Sequence, residues 1–343
     1  MTVLVRAASL HGYEALARSI GVDPVAELSR VGLSPKSLTD PDGLIPYFAQ
    51  FHLLEHTAAA GNCPDFGLRL AKEQGLHILG PLAILLRHAA TLGDALKLAS
   101  KYIYVHSPAI RIAAVPVAGR PTEIDLTFNI ETPNLPPCAQ TLELGIGVTA
   151  EVVKQIGQGK IRPLLAMLPH ARIGPKSSYA KVLDFDCHFE APQAALRFAA
   201  ADMVRPLPEY NAMLQELASS YLNQHFGSPS RLFSDQVRAL VRRFLGSGQS
   251  TQADIARMLT IHPRTLQRRL QDEGHHFEDI VEGVRKDQLV SLLASPQELS
   301  LLQIALMLGY SEMATLTRSC RRWFNCTPSQ LRERQTELSR SQP

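Results

Sequence analysis

The feature that most constrains this chain is a duplication near its end: from residue 231 onward one short design occurs twice, about fifty residues apart, with no strand-like alternation between the copies. In the first copy, Thr251-Gln-Ala-Asp-Ile-Ala-Arg-Met-Leu259 sets Ile255, Ala256 and Leu259 on one helical face, behind a Thr251/Asp254 start signal. A turn over 260–263 follows, and Pro263 suits the first position of the next helix, where its missing N–H costs little. That helix, 263–273, turns Leu266 and Leu270 inward and Arg264, Gln267, Arg268 and Gln271 outward, and Gly274 stops it. In the second copy, Ser300 with Gln303 is a capping-box pattern, and Ile304, Ala305 and Leu308 form the inward stripe. Gly309-Tyr310-Ser311 makes the turn. The second outer helix, 312–324, is expected to bury Leu316, Cys320 and Trp323, leaving Met313, Ala314, Thr317 and Arg318 outside.

Between the copies, 277–295 reads as one continuous helix of 19 residues. At the α-helical rise it spans about 28 Å. One turn of B-DNA is about 34 Å, so such a spacer suits two readers in successive segments of one major groove, which a helix fits. Charge agrees in sign: residues 231–343 hold 16 Arg plus Lys against 12 Asp plus Glu, and 15 of the 16 are Arg. The guanidinium fork suits phosphate and guanine. A single helical hairpin would read as an ordinary bundle. Duplication, two turns, Arg-bearing outer faces and spacer length together favour an all-α domain that binds duplex DNA through two helix-turn-helix units joined by a long helix.

Residues 1–204 follow a different pattern. Helical spacing recurs over 48–60, 65–74, 91–104 and 141–157. Segments 110–117 and 123–129 are expected strands, the second alternating Ile124, Leu126 and Phe128 with polar residues, and 118–122 is the expected turn. Short apolar pieces lie at 164–168 and 185–189. This domain is therefore expected to be α+β and helix-rich, with a small, largely antiparallel sheet. A connector over 205–230 follows, with prolines at Pro206 and Pro208, a helix over 209–226, and the linker Gly227-Ser228-Pro229-Ser230.

Composition bounds the setting. With 45% hydrophobic and 20% charged residues the chain suits a soluble globular protein, and 343 residues suit two domains. Five scattered cysteines without a CxxC pair point to reduced thiols. The first twenty residues are broken by Arg6, His11, Glu14 and Arg18, and no apolar run approaches a bilayer span, so a cytoplasmic protein without membrane attachment is expected.

One motif competes. His52-Leu-Leu-Glu55-His56 is H-x-x-E-H, a spacing at which two histidines can share zinc beside a glutamate base. It lacks an identifiable third ligand, so the expectation is no metal and no catalytic set, with a zinc hydrolase as the remote alternative. Cys187-His188 and His275-His276 are adjacent pairs, poorly spaced for joint ligation. Gly145-Ile-Gly147 and Gly157-Gln-Gly159 lack a full phosphate-cradle pattern.

Residues 251–332 resemble the DNA-binding domain of the AraC/XylS family of bacterial regulators. The run His262-Pro-Arg-Thr-Leu-Gln-Arg-Arg-Leu270 is similar to its first recognition helix. Ile304-Ala305, Leu308-Gly309-Tyr310-Ser311-Glu312, Leu316-Thr-Arg318, Arg322-Trp323-Phe324 and Thr327-Pro328-Ser-Gln-Leu-Arg332 are similar to its C-terminal signature. Three departures bear on packing: Asn325 stands where the family has glycine, Cys320 and Leu331 stand where it has aromatics, and His262 stands at a common capping serine. The last is expected to weaken the first reader by about 1 kcal/mol. Looser matches, Gly21-Val-Asp-Pro24, Val31-Gly-Leu33, Asp65-Phe-Gly-Leu-Arg-Leu70, Leu79-Gly-Pro-Leu-Ala83, Thr91-Leu-Gly-Asp-Ala-Leu96 and Arg205-Pro-Leu-Pro208, resemble the "arabinose-binding"-type N-terminal domain of one subgroup. The resemblance implies a promoter-binding transcription regulator, an activator by family habit, working with RNA polymerase. It implies a small-molecule effector and homodimerisation through the first domain, and no cofactor. A dimeric DNA-binding regulator without a ligand is the alternative. DNA contacts are expected from Arg264, Gln267, Arg268, Gln271, Met313, Ala314, Thr317 and Arg318. The first unit is expected to carry most of the specificity, because Met313 and Ala314 offer only apolar contact.

Overall fold

The computed structural model describes residues 3–132, 135–226, 233–248, 250–259, 261–293 and 299–340. The chain divides into two compact units, Met1–Pro229 and Ser230–Pro343. The linker read at 227–230 lies outside the described residues, as do Thr260 of the first turn and residues 294–295 at the end of the expected spacer.

The first unit contains, in order, β1 (Leu4–Arg6), α1 (Tyr13–Ser19), α2 (Pro24–Arg30), β2 (Leu44–Pro46), α3 (Tyr47–Ala60), α4 (Phe66–Ala71), α5 (Pro81–Arg87) and α6 (Leu92–Tyr102). It continues with β3 (Ile110–Val117), β4 (Arg120–Ile130), α7 (Ala139–Ile156), β5 (Leu165–Met167), α8 (Lys176–Leu183), β6 (Asp186–His188), β7 (Ala194–Ala199) and α9 (Ala212–Phe226). A five-stranded sheet runs β3-β4-β7-β5-β6, and β1 pairs with β2 apart from it. Within the sheet, neighbours are antiparallel except β5 and β6.

Two features differ from the sequence reading. The 118–122 turn is shorter: Gly119 takes φ +74° and β4 resumes at Arg120. Pro121 is tolerated because β7 pairs only with Glu123–Phe128, so no neighbour on that side needs its N–H. The strand β7 carries no alternation, and its three alanines suit a helix by propensity. It is a strand because Ala195, Leu196 and Phe198 are fully buried and Arg197 is held opposite Asp125. Arg197 donates Nε to Asp125 Oδ1 at 2.7 Å and Nη2 to Oδ2 at 2.9 Å, with Glu123 at 3.3 Å.

Helix α7 sits unusually close to α4. A Cβ on Gly67 would stand 2.0 Å from the Gln140 carbonyl oxygen, and one on Gly147 would stand 2.5 Å from Ala71 Cβ. Gln140 locks this crossing. Its Oε1 accepts from the Gly67 N–H at 2.7 Å and its Nε2 donates to Pro64 O at 2.8 Å. Helix α9 packs on α5 within the first unit, burying Ala218 and Leu222, and Tyr102 Oη donates to Asn223 Oδ1 at 3.1 Å.

The second unit is α10 (Phe233–Phe244), α11 (Gln252–Met258), α12 (Pro263–Asp272), α13 (Phe277–Leu293), α14 (Leu301–Met307), α15 (Met313–Phe324) and α16 (Pro328–Arg340). Among the described residues it has no strand. No described helix is long and apolar enough to cross a membrane.

Two substitutions test the packing. Arg197→Leu leaves the mostly buried Asp125 without its paired cation and Glu123 with Arg120 alone, and should cost the first unit about 2 kcal/mol, read as a lower urea midpoint by circular dichroism. Gly309 takes φ +72° and its Cβ position lies 2.5 Å from Leu245 O, so both backbone and space exclude a side chain. Gly309→Ala should cost on the order of 2 kcal/mol. Fluorescence of Trp323, the chain's single tryptophan, reports that loss in the second unit.

Candidate nucleic-acid interface and the cavity of the first unit

The first helix-turn-helix is α11 and α12. Thr251 and Asp254 form a reciprocal capping box, in which Thr251 Oγ1 accepts from the Asp254 N–H at 3.2 Å. The Thr251 hydroxyl and Arg257 hold the Asp254 carboxyl below its ordinary range. Ile255, Ala256, Leu259, Leu266 and Leu270 close the core between the two helices. Gln252 Nε2 donates across the turn to Pro263 O at 3.1 Å. His262 is a working cap, contrary to expectation: its Nδ1 accepts from the Arg264 N–H at 3.2 Å. An imidazole nitrogen carrying a lone pair thus does what a serine hydroxyl does.

The second helix-turn-helix is α14 and α15. Ser300 and Gln303 form the second capping box, and Ile304, Ala305, Leu308, Leu316 and Cys320 are fully buried. Trp323, expected inside, is half-buried because its indole N–H reaches out to Glu282. Asn325 takes the left-handed conformation, φ +54°, that glycine holds in relatives and that asparagine tolerates.

Helix α13 joins the two helix-turn-helix motifs and does more than space them. Arg285 donates Nε to Leu308 O at 3.0 Å and stacks its guanidinium 4.4 Å from the Tyr310 ring centroid. Glu282 takes the Trp323 indole and pairs with Arg322 at 2.9 Å. These contacts fix the second turn and α15 to the spacer. At the first helix-turn-helix, Glu273 follows α12 and caps α10, accepting from the Phe233 and Ser234 N–H groups at 2.7 and 2.8 Å. Burial raises the Glu273 carboxyl, but these hydrogen bonds outweigh it and lower it overall. Sequence reading missed Arg285, Glu282, Glu273 and Gln252 as positioning residues, since only three-dimensional contacts distinguish them from other polar helix residues.

The residues read as DNA contacts fall as follows. Arg264, Gln267, Arg268 and Gln271 are exposed on α12, and Met313, Ala314 and Arg318 are exposed on α15. Thr317 is half-buried and donates its hydroxyl to Met313 O at 3.1 Å. Arg318 donates to Thr315 Oγ1 at 3.1 Å.

The H-x-x-E-H residues have structural surroundings. His52 and His56 are exposed, their ring centroids 6.0 Å apart. Glu55 Oε1 accepts from the Gln140 N–H at 2.9 Å, capping α7, and burial raises its carboxyl. Among the described residues, no group of three or more His, Cys, Asp and Glu is placed to hold a metal. Gly145 and Gly147 are packing glycines: a Cβ on Gly145 would meet the Phe128 ring at 2.5 Å.

The first unit holds a partly open cavity of about 90 Å³ between the sheet, α6 and α7, at least six times what one water needs. Ile112, Leu126 and Phe128 line it from the sheet, Leu96 from α6, and Leu144 and Val153 from α7. Its lining contains no Asp, Glu, Lys or Arg. Three buried polar atoms belonging to lining residues have no hydrogen-bond partner: Gln74 Oε1, His106 Nδ1 and Thr141 Oγ1.

Comparison with known proteins agrees with this architecture. Residues 21–207 match the "Arabinose-binding domain of AraC transcription regulator, N-term" and residues 255–334 match a "Helix-turn-helix domain". The chain is 36% identical to the HTH-type transcriptional regulator VirS of Mycobacterium tuberculosis over 96% of both chains. It is 26% identical to the Ornithine utilization regulator of Pseudomonas aeruginosa over 93% of each. The crystal structure of transcriptional regulator CdpR from Pseudomonas aeruginosa matches 90% of this chain and 96% of its own, with 21% identity and a TM-score of 0.44. With two capped helix-turn-helix units behind an N-terminal domain of this type, and a relative this similar along nearly its whole length, the chain belongs to the AraC family of transcription regulators.

Proposed function

We propose that this regulator reads promoter DNA with α12 and α15 and activates transcription with RNA polymerase in the cytoplasm. We propose further that it does so as a homodimer under control of a small molecule bound in the first unit. The observation that carries the DNA reading is the pair of capped helix-turn-helix units on α13, with exposed Arg264, Gln267, Arg268 and Gln271 on one outer helix. Arg264 and Arg268 lie one helical turn apart, so both can face the same stretch of groove. On α15, Met313 and Ala314 supply apolar contact with thymine methyl groups, and Thr317 and Arg318 contact sugar and phosphate. Specificity therefore concentrates on α12, while α15 positions the protein.

The cavity supports effector control over a purely dimeric regulator, since a domain built only to dimerise has no use for unpaired polar atoms on the walls of a largely apolar cavity. Self-association is supported by α9, where Met213, Leu217 and Tyr221 expose apolar surface at helical spacing.

Arg268→Ala should flatten base preference at its position, costing about 1–3 kcal/mol of discrimination. Met313→Ala should change it far less. Binding to a library of single-base variants measures both, and equal losses would overturn the division of labour. Affinity should also fall steeply with salt as phosphate counterions are released, and a flat log–log plot of binding against salt between 50 and about 200 mM would contradict a phosphate-anchored mode.

A further inference from the structure

We infer that the cavity of the first unit is a recognition site for an uncharged, largely apolar small molecule that donates hydrogen bonds through a hydroxyl or N–H group, received by Gln74 Oε1, His106 Nδ1 and Thr141 Oγ1. This rests on the effector reading above and adds the chemical class of the ligand and the atoms that read it.

Gln74, His106 and Thr141 are each more than nine-tenths buried and all line the cavity. A buried polar atom left unpaired in an apolar surrounding is costly, and folded proteins rarely keep one without a partner in some state. Three in one cavity mark a place where a ligand supplies the partner.

Their chemistry is fixed by what else they do. Gln74 Nε2 donates to Ser9 O and His11 O, both at 2.9 Å, so the amide cannot flip and Oε1 is left as a pure acceptor. His106 is neutral, because burial, and next the nearby Arg6 cation, push it down to about 4. Its other ring nitrogen bonds the Ile78 carbonyl, so that nitrogen carries the proton and Nδ1 presents a lone pair. Thr141 contributes a hydroxyl that can turn either way. Two acceptors and one adaptable group call for a ligand with donors.

The remaining lining excludes the other classes. With no Asp, Glu, Lys or Arg on its walls, and the nearby Arg6 already paired with Asp42, the cavity offers a carboxylate, phosphate or ammonium no free counter-ion, and a bare charge in such a space is strongly disfavoured. Two fixed acceptors repel an anion further. A free sugar carries more hydroxyls than these three atoms can satisfy, and of the other polar residues on the walls Ser9 already bonds Gln50 and Thr149 already bonds Gly145 O.

The test uses matched triplets that share one apolar body: benzyl alcohol, toluene and benzoate; and 1-hexanol, hexane and hexanoate. Binding to the full chain is followed by ligand-detected NMR, with DNA footprinting alongside. The neutral donor of a triplet should bind roughly tenfold more tightly than the hydrocarbon, about what a hydrogen bond in an apolar site is worth, and the carboxylate should not bind detectably. Thr141→Val, close in volume, should narrow the alcohol-over-hydrocarbon preference by severalfold while the hydrocarbon still binds, which a merely unfolded variant would not do. Leu144→Trp, which fills the space, should abolish all binding. The inference fails if carboxylates bind as well as alcohols, if alcohols show no advantage over hydrocarbons in either triplet, or if binding survives Leu144→Trp. If alcohols bind as described and the footprint never changes, the site stands and effector control falls. If a charged compound alters the footprint while the triplets show no preference, effector control stands and this ligand class falls.

Discussion

The hydrogen bonds of Gln140 hold the first unit together. From one side chain and its own N–H they tie α7 to α4, to the segment before α4, and to α3 through Glu55. They can do so only because Gly67 and Gly147 let the helix backbones approach to a distance no other residue permits. With α7 so placed, its opposite face, carrying Thr141, Leu144 and Val153, becomes one wall of the cavity, and the sheet residues Ile112, Leu126 and Phe128 become another. The void is thus a product of close packing elsewhere: α7 is drawn to one side and leaves space on the other.

The second unit is organised by α13. Its inward residues Ile280, Val284 and Leu289 make it a core helix. Glu282 and Arg285 reach from it to Trp323, Arg322, Leu308 and Tyr310, so the orientation of α15 is set by the spacer and not only by its own turn. The first helix-turn-helix is held differently, with Glu273 seating the start of α10 beside the end of α12. The outer faces take little part in any of this, which leaves their side chains available for a partner.

What the sequence made legible follows from which signals are local. Caps, turns and inward stripes repeat within each helix-turn-helix, so α11, α12, α14 and α15 were expected within a residue or two of where they lie. The strand pattern of β3 and β4 was local too. β7 was invisible because its reason for being a strand is Asp125, seventy residues away, and an alanine-rich segment has no pattern of its own. β1 and β2, three residues each, are too short to show alternation. The cap made by His262 was misjudged because composition ranks residue types, whereas one well-placed lone pair is enough. The cavity could not be read at all: Gln74, His106 and Thr141 look unremarkable in sequence, and only the absence of partners in the folded state singles them out.

The spacer has a consequence for how such a protein can change over generations. Each residue added to α13 would advance everything beyond it by 1.5 Å and rotate it by about 100°, swinging α15 out of its present orientation relative to α12 and tearing Glu282 and Arg285 from what they hold. The outward side chains of α12 and α15 can therefore be exchanged at little cost to folding, while insertions and deletions within α13 are shut out. Divergence in this unit should accumulate as altered letters within a helix of constant length.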